Sequence, residues 1–137
     1  MAFRPYLFFG GNCREAFTRY KEIFGGELSI VTPKDMPADQ PAEQGDWVMH
    51  AALTIGDELL VASDDPMTEH FGPVQGMMVN YDAPDVSEAK RVFDALADGG
   101  TVSQELMPTF FSVAFGMCTD RFGTPWMIVG PRPDQAS

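Results

Sequence analysis

The histidine at position 50 is the strongest candidate for acid–base chemistry in this sequence. His50 lies in an alternating segment that predicts a β-strand, in which it shares one face with Ala52 and Thr54 while Leu53 and Ile55 share the other. Imidazole gains and loses a proton near neutral pH, so this small-residue face is a candidate cavity wall with one proton-transfer group. A structural histidine, hydrogen-bonded to a neighbouring strand, is the alternative interpretation.

A short acidic segment follows the next predicted strand. Asp64, Asp65, Glu69 and His70 place oxygen and imidazole donors within seven residues, which is a pattern that could bind a cation. The acidic composition also fits an ordinary solvated linker. Neighbouring hairpin strands could bring Asp64 beside His50, and the two would then form a catalytic pair.

The two cysteines, Cys13 and Cys118, lie far apart and without the spacing of a metal site. They are therefore expected to be free thiols in a reducing cytoplasm. Cys13 falls in the first turn of a predicted helix, where the helix dipole lowers a thiol pKa and could make it reactive. A buried, inert cysteine is the commoner case.

Composition excludes some partners and locations. The chain has 137 residues, a single-domain length, with 9 basic and 20 acidic side chains and a formal charge of -11. Such a surface repels nucleic acid and anionic membranes, so neither is an expected partner. The N-terminus does not resemble a signal peptide, and no apolar run reaches the roughly 18 residues of a membrane span.

Two amphipathic helices give the clearest local signals, and their patterns repeat along the chain. Each begins after a capping residue that is followed three positions later by Glu, which predicts a capping box. Each ends at a glycine pair, which supplies the left-handed conformation that closes a last turn. The matching positions are Asn12 and Asp85, Glu15 and Glu88, and the glycine pairs at 25–26 and 99–100.

The flanks of the two helices also match. A short extended segment precedes each helix, and a strand and a hairpin-like strand pair follow it, with Gly and Asp in the turns. The sequence therefore predicts an α+β fold built of two β-α-β-β-β modules, about residues 4–65 and 76–130. Each is too small to bury a core alone, so we expect one domain over residues 1–137.

Three segments carry a family resemblance: PYLFFGGNCREAFTRYKEIFGGEL, MHAALTIGDELLVASD and TFFSVAFGMCTDRFGTPWMI. Together they resemble the PhnB-like branch of the vicinal-oxygen-chelate (glyoxalase/bleomycin resistance/dioxygenase) superfamily, from about Pro5 to Val129. The resemblance implies that the modules pair into a curved mixed sheet around a cavity. Members are often labelled 3-demethylubiquinone-9 3-methyltransferase domains. The sequence nevertheless has no glycine-rich strand-to-helix turn of the kind that cradles a nucleotide-derived cofactor.

Metal-dependent members of the superfamily place His, Gln or Glu ligands on the first and last strand of each module. The resemblance assigns these positions to Pro5, with Leu7 on the same face, and to Val61, Gly76 and Met127. None of these side chains binds a hard or borderline divalent ion. We therefore expect neither a metal nor another cofactor.

A set of aromatic residues is predicted to lie on strands of the concave sheets: Trp47, Phe110, Phe111, Phe115 and Trp126. Mostly apolar walls with a few polar groups suit a small-molecule pocket, although the same residues also suit a plain core. Thr109 could supply a hydroxyl at the pocket mouth. The predicted ligand-binding residues are Trp47, His50, Thr109, Phe110, Phe111 and Trp126.

These observations favour a metal-independent protein that binds an unidentified small molecule in an apolar cavity, with His50 as its main polar group. The resemblance further implies a homodimer, and exposed strand edges are also managed by pairing. One alternative is an isomerase or lyase that uses His50 with Asp64. Another is a metal-dependent enzyme with an atypical site made of His50, Asp64 or Glu69.

Overall fold

The computed structural model of the chain describes residues 3–33, 47–65 and 74–134. It divides into two compact units, residues 1–71 and 72–137, called module 1 and module 2 below. Each has the β-α-β-β-β order that the sequence predicts. Module 1 contains β1 (Tyr6–Phe9), α1 (Cys13–Phe24), β2 (Glu27–Val31), β3 (His50–Ile55) and β4 (Glu58–Asp64); module 2 contains β5 (Val79–Asp82), α2 (Val86–Ala97), β6 (Thr101–Met107), β7 (Phe115–Thr119) and β8 (Pro125–Val129).

Each module is one mixed four-stranded sheet with a helix on one face. The strand orders are β1-β4-β3-β2 and β5-β8-β7-β6, so the first and last strands of each module are neighbours. These neighbours run parallel, whereas the other pairs are antiparallel hairpin partners. In the described ranges, no helix is long and apolar enough to span a membrane.

Strand alternation gives the sheet of module 1 two different faces. Leu7 and Phe9 of β1 are buried under α1, and the Phe9 ring meets the Phe17 ring edge-on at a centroid distance of 6.2 Å. Tyr6 and Phe8 point to the opposite face, where both are exposed. The face opposite the helix is called the far face below.

Module 2 repeats this arrangement with different side chains. Gly116 of β7 lies under α2, where an added Cβ would come within 2.7 Å of the Phe93 ring. On the far face, Met117 of β7 stands directly opposite Met127 of β8. The far face of module 2 is therefore rich in methionine, whereas that of module 1 carries aromatic rings.

The glycine pairs end the helices as predicted, and each member has its own reason to be glycine. Gly25 and Gly99 both adopt a φ of 78°, in the left-handed region that side chains disfavour. Gly26, which also has a positive φ of 86°, and Gly100 allow close approach of the adjacent hairpin strand. An added Cβ would lie 2.2 Å from a carbonyl oxygen of β3 in module 1 and 2.1 Å from one of β7 in module 2.

The helix N-termini differ, and the capping-box prediction is wrong for α1. Asn12 makes no side-chain capping bond there. The first N–H of the helix, that of Cys13, donates to the Asp64 carboxylate of β4. The predicted cap of α2 is confirmed, since Asp85 Oδ1 accepts from the Glu88 N–H at 2.7 Å. The Glu88 carboxylate pairs with Arg91 and so does not complete a reciprocal box.

Candidate functional site

His50 is the first residue of β3 and lies on the far face of module 1. Ala51 and Leu53 are fully buried on the helix side, while His50 and Thr54 are exposed on the other. The predicted sharing of one face by His50, Ala52 and Thr54 is therefore confirmed. Its backbone lies beside Val31 of β2, so the imidazole stands at the start of a paired strand.

Two exposed rings share the far face with the imidazole, and one of them, Tyr6, lies beside it. The Tyr6 ring lies 5.1 Å from the Phe8 ring and 6.2 Å from the His50 ring, measured between centroids. Tyr6 is 44% exposed and Phe8 is 56% exposed, which is high for large apolar side chains on a sheet. These three side chains form what is called the ring surface below.

Sequence reasoning missed Tyr6 and Phe8 because it assigned the neighbouring positions to this face. Leu7 lies under α1, so its assignment, together with Pro5, to the far face is wrong by one residue. The apolar run YLFF has no polar residue to mark which positions face outward. The pairing of Tyr6 with Val61 sets the register instead.

Asp64 at the end of β4 is a buried carboxylate that binds backbone amides. Its Oδ1 accepts from the N–H groups of Gly11 and Cys13, each at 3.0 Å, and its Oδ2 accepts from the Val48 N–H at 2.9 Å. The side-chain environment is almost closed, with 5% of the residue exposed. Both carboxylate oxygens are therefore directed at backbone donors.

The structure does not bring Asp64 and His50 together as a catalytic pair. The β3–β4 register pairs Ala51 with Ala62, so its continuation sets His50 opposite Ser63 and leaves Asp64 on the helix side. Successive strand residues point to opposite faces, which separates the imidazole from the carboxylate by the thickness of the sheet. The two strands are neighbours, as predicted, but the alternation of side chains along them directs His50 and Asp64 to opposite faces of the sheet.

Both thiols are buried and held in the protonated form. Burial, with a further contribution from the Asp64 carboxylate, raises the pKa of Cys13 to about 12. Burial and the Asp120 carboxylate raise the pKa of Cys118 to about 11. The raised pKa and the full burial of Cys13 favour the inert interpretation of this thiol.

Thr109, Phe110 and Phe111 lie in a turn before β7, so the predicted placement of Phe110 and Phe111 on a strand is wrong. The Thr109 hydroxyl accepts from the N–H groups of Phe111, at 3.3 Å, and Ser112, at 3.1 Å. This fixed turn presents Phe110, which is 94% exposed. Centroid distances of 5.2 Å and 5.1 Å connect the rings of Phe110, Phe111 and Phe115 into one edge-to-face row.

The two tryptophans occupy different environments. Trp126 is only 2% exposed, and its indole N–H donates to Asp120 Oδ2 at 2.9 Å. Asp120 also accepts from the backbone N–H groups of Phe122 and Thr124, so this indole belongs to a buried turn network. Burial leaves Trp126 no surface for a ligand in this conformation. Trp47 precedes β3 rather than lying in it, and it is half-buried.

The far-face positions on the first and last strands do not fit the metal site of the superfamily. In module 1, the residues are Tyr6, Phe8, Val61 and Ser63, and in module 2, they are Asn80, Asp82, Met127 and Val129. Asp82 is the only carboxylate among these eight positions, and its Oδ1 accepts from Asn80 Nδ2 at 2.9 Å.

A search for clustered ligands supports the same conclusion within residues 3–33, 47–65 and 74–134. These ranges contain no group of three or more His, Cys, Asp and Glu side chains that could hold a metal ion. Of the atypical candidates, Glu69 and His70 lie outside the described residues. His50 and Asp64 are on opposite faces of their sheet and so do not share a site.

Comparison with known proteins agrees with this architecture. The family model described as 3-demethylubiquinone-9 3-methyltransferase matches residues 1–129. The chain belongs to this family. Protein YjdN of Escherichia coli (strain K12) is 34% identical, with 93% of this chain and 94% of YjdN covered.

Solved structures place the family within a wider fold. Protein PA1353 from Pseudomonas aeruginosa is 41% identical with a TM-score of 0.87, covering 96% of this chain and 98% of that one. The PhnB protein from Bacillus cereus is 25% identical with a TM-score of 0.76, covering 95% and 99%. A glyoxalase/bleomycin resistance protein/dioxygenase family enzyme from Burkholderia phytofirmans, at 12% identity, 93% and 95% coverage and a TM-score of 0.62, shows that the fold is the glyoxalase/bleomycin-resistance fold.

Proposed function

We propose that this member of the 3-demethylubiquinone-9 3-methyltransferase family binds a small molecule without a metal, on the far face of module 1. The observation that carries the proposal is the ring surface, in which the exposed Tyr6 ring lies beside the exposed imidazole of His50 on one side and beside the exposed Phe8 ring on the other. The ligand contacts the two rings with an apolar group and exchanges a hydrogen bond with His50.

The chemistry of the three side chains supports this proposal. Aromatic rings offer a large, rigid contact area. A stacked or edge-to-face contact with another ring contributes about 0.5–1.5 kcal/mol in addition to the effect of the buried area. A neutral imidazole offers one donor and one acceptor, which can fix the orientation of a bound polar group. A mostly apolar surface with one polar group is the usual composition of small-molecule sites.

Module 2 offers a second apolar surface that supports the same function. Met117 and Met127 are half-buried on its far face, and exposed Met107 stands opposite Phe115. Thioether side chains are flexible and polarizable, so they adapt to ligands of different shape. The exposed Phe110 of the neighbouring turn adds to the apolar surface of this module.

An isomerase or lyase that uses His50 is the alternative, but Asp64 is no longer available as its catalytic partner. Asp64 is directed at three backbone N–H groups on the other side of the sheet, so a carboxylate partner of His50 has to come from elsewhere. The family description names methyl transfer, but the sequence has no glycine-rich strand-to-helix turn that could cradle a nucleotide-derived cofactor. Binding without turnover is therefore the preferred function.

A thermal-shift screen of apolar small molecules tests the proposal. A ligand present at about a hundred times its Kd adds about 2.7 kcal/mol to the free energy of unfolding, which should raise the Tm by about 5–10 °C. His50→Gln and Phe8→Ala should each weaken binding about tenfold, because a hydrogen bond or a ring contact is lost. Val86→Ala, which truncates an exposed side chain on α2, is the matched control and should not change affinity. Hits that bind all four proteins equally would place binding elsewhere.

Two further properties are part of the proposal. We propose a homodimer, which is supported by the resemblance and by the exposed edge strands of both sheets. Light scattering should report twice the 15.1 kDa of one chain, and a mass of one chain would overturn the dimer. A reducing cytoplasmic location is also proposed, and two buried free thiols support it.

A further inference from the structure

The Asp64 carboxylate connects three separate segments of module 1. Gly11 belongs to the turn after β1, Cys13 is the first residue of α1, and Val48 lies two residues before His50. A carboxylate that accepts several backbone N–H bonds in a buried site acts as a rigid junction, because each bond to a charged acceptor is stronger than a neutral one. The start of the His50 strand is one of its three partners.

Val48 is held by Asp64 at two points. Its N–H donates to Asp64 Oδ2 at 2.9 Å, and its carbonyl oxygen accepts from the Asp64 N–H at 2.8 Å. One backbone bond from Met49 to Val31 then begins the pairing with β2. Two hydrogen bonds to Asp64 therefore fix the backbone of Val48, two residues before His50.

Module 2 shows that this fold does not require such a carboxylate. Gly130 occupies the place of Asp64, since its N–H donates to Ala114 O at 2.7 Å as Asp64 does to Val48. No side chain extends from this glycine. The Ser112 hydroxyl stabilises the segment instead, at 3.0 Å from the carbonyl oxygens of Ala114 and Gly130.

The helix of module 2 also begins without help from its sheet. Asp85 caps α2 from the helix's own N-cap position. A local capping residue would have been sufficient for α1 as well, because Asn12 already stands at its N-cap. A carboxylate supplied by β4 adds something that a local cap cannot, namely a fixed connection between α1 and the start of β3.

We propose that Asp64 is a positioning residue that fixes His50 on the ring surface, and not a proton-transfer partner of His50. This inference rests on the proposed function for its purpose, but its geometry can be tested without any ligand. By bonding both the N–H and the carbonyl oxygen of Val48, Asp64 sets where the imidazole stands relative to the Tyr6 ring.

The two carboxylate oxygens allow the side-chain bond to Val48 to be removed by itself. Asp64→Asn can keep its carbonyl oxygen on Gly11 and Cys13, and its amide nitrogen then faces the Val48 N–H. Two donors cannot bond to each other, so this variant loses the side-chain bond to the Val48 N–H. It keeps the bonds to Gly11 and Cys13 and the backbone bond from its own N–H to the Val48 carbonyl oxygen. Asp85→Asn is the matched control, because it changes a helix cap in module 2 and leaves β3 unchanged.

Side-chain NMR of the unliganded protein provides the deciding measurement. The chain has two histidines and two tryptophans, so the imidazole of His50 and the indoles of Trp47 and Trp126 can be assigned by single substitution. In Asp64→Asn, the His50 and Trp47 signals should shift and broaden while Trp126 stays unchanged. In Asp85→Asn, the His50 and Trp47 signals should stay in place. Unchanged His50 and Trp47 signals in folded Asp64→Asn would overturn the proposal.

A binding measurement separates this inference from the proposed function. 8-Anilinonaphthalene-1-sulfonate, an aromatic fluorescent probe, should bind Asp64→Asn about tenfold more weakly than the wild type, and Asp85→Asn as well as the wild type. If the wild type does not bind this probe or any screened compound, the proposed function fails while the NMR result still decides the role of Asp64. Equal affinity in Asp64→Asn, despite shifted His50 signals, would overturn the positioning of a binding group.

Hydrogen exchange in the unmodified protein decides the question if Asp64→Asn does not fold. The amides of Gly11, Cys13 and Val48 share one acceptor group, so they should exchange with one common opening free energy. A Val48 amide that exchanges far faster than the other two would show that the junction does not hold the start of β3, and the inference would be rejected.

Discussion

The two modules follow the same chain path, yet they place their buried carboxylates differently. In module 1, Asp64 stands at the end of the last strand and connects β4 to the helix and to β3. In module 2, Asp120 stands in the last hairpin, where it holds two backbone N–H groups and the Trp126 indole. One carboxylate joins distant segments, and the other stabilises a local turn.

This difference shows which parts of the repeat belong to the fold and which belong to one module. The glycine pairs, the strand orders and the helix positions recur in both. The junction at Asp64 and the ring surface occur in module 1, while the methionine-rich far face and the Phe110 turn occur in module 2. Function is therefore expected to follow the features that do not repeat.

Substitution of Gly26 or Gly100 by Ala should give the largest effect. An added Cβ would overlap a strand carbonyl at 2.2 Å or 2.1 Å, so one strand of each sheet must move. We expect each variant to lose about 2–4 kcal/mol of unfolding free energy in denaturant titrations. Gly25→Ala is the control, because its φ of 78° is strained but nothing lies within 4 Å of the added atom. It should lose about 1–2 kcal/mol. Gly26→Ala should lose more than Gly100→Ala, because Gly26 also has a φ of 86°, in the region that side chains disfavour. A small loss at either position would contradict the close approach of the adjacent strand in that module.

The glycine pairs, the helices and the order of strands could be predicted from the sequence because each depends on local chemistry. Periodicity and turn residues determine such elements over a few neighbouring positions. The far-face identity of Tyr6 and the junction at Asp64 could not, since both depend on pairing between segments more than 50 residues apart. The SD pair at 63–64 ends a strand and says nothing about which amides approach it.

The placement of the aromatic set shows the same limit. Trp126, Phe110 and Phe111 all read as apolar residues near strands, but one is buried in a polar turn network and two are exposed on a turn. The local sequence around the buried Trp126, which donates to Asp120, does not differ in pattern from that around the exposed Phe110. Only the hydrogen bonds of Thr109 and Asp120 distinguish them.

Trp126→Phe should sharpen the contrast between the two carboxylates at an intermediate cost. Phe keeps most of the buried ring but removes the N–H that donates to Asp120 Oδ2 at 2.9 Å. Loss of one donor to a buried charged group should lower the unfolding free energy by about 1.5–3 kcal/mol, measured by urea titration. Trp47→Phe is the matched control on a half-buried indole and should cost less than about 1 kcal/mol. Equal losses in the two variants would mean that the indole–carboxylate bond contributes nothing specific.

The two thiols predict an effect that is confined to alkaline pH, and they test whether both modules exclude solvent equally. The pKa of each thiol is raised from 9.0, to about 12 for Cys13 and about 11 for Cys118, so the folded protein binds protons that the unfolded chain releases. The stabilisation is complete below pH 9 and is lost as pH rises through the folded values, at up to about 1.4 kcal/mol per pH unit for each thiol. Unfolding free energies measured from pH 8 to pH 10.5 should therefore fall, and Cys13→Ala should fall less steeply than the wild type. Rapid labelling of either thiol by a disulfide reagent at pH 8, under conditions where the protein is folded, would contradict the burial of that thiol in its module.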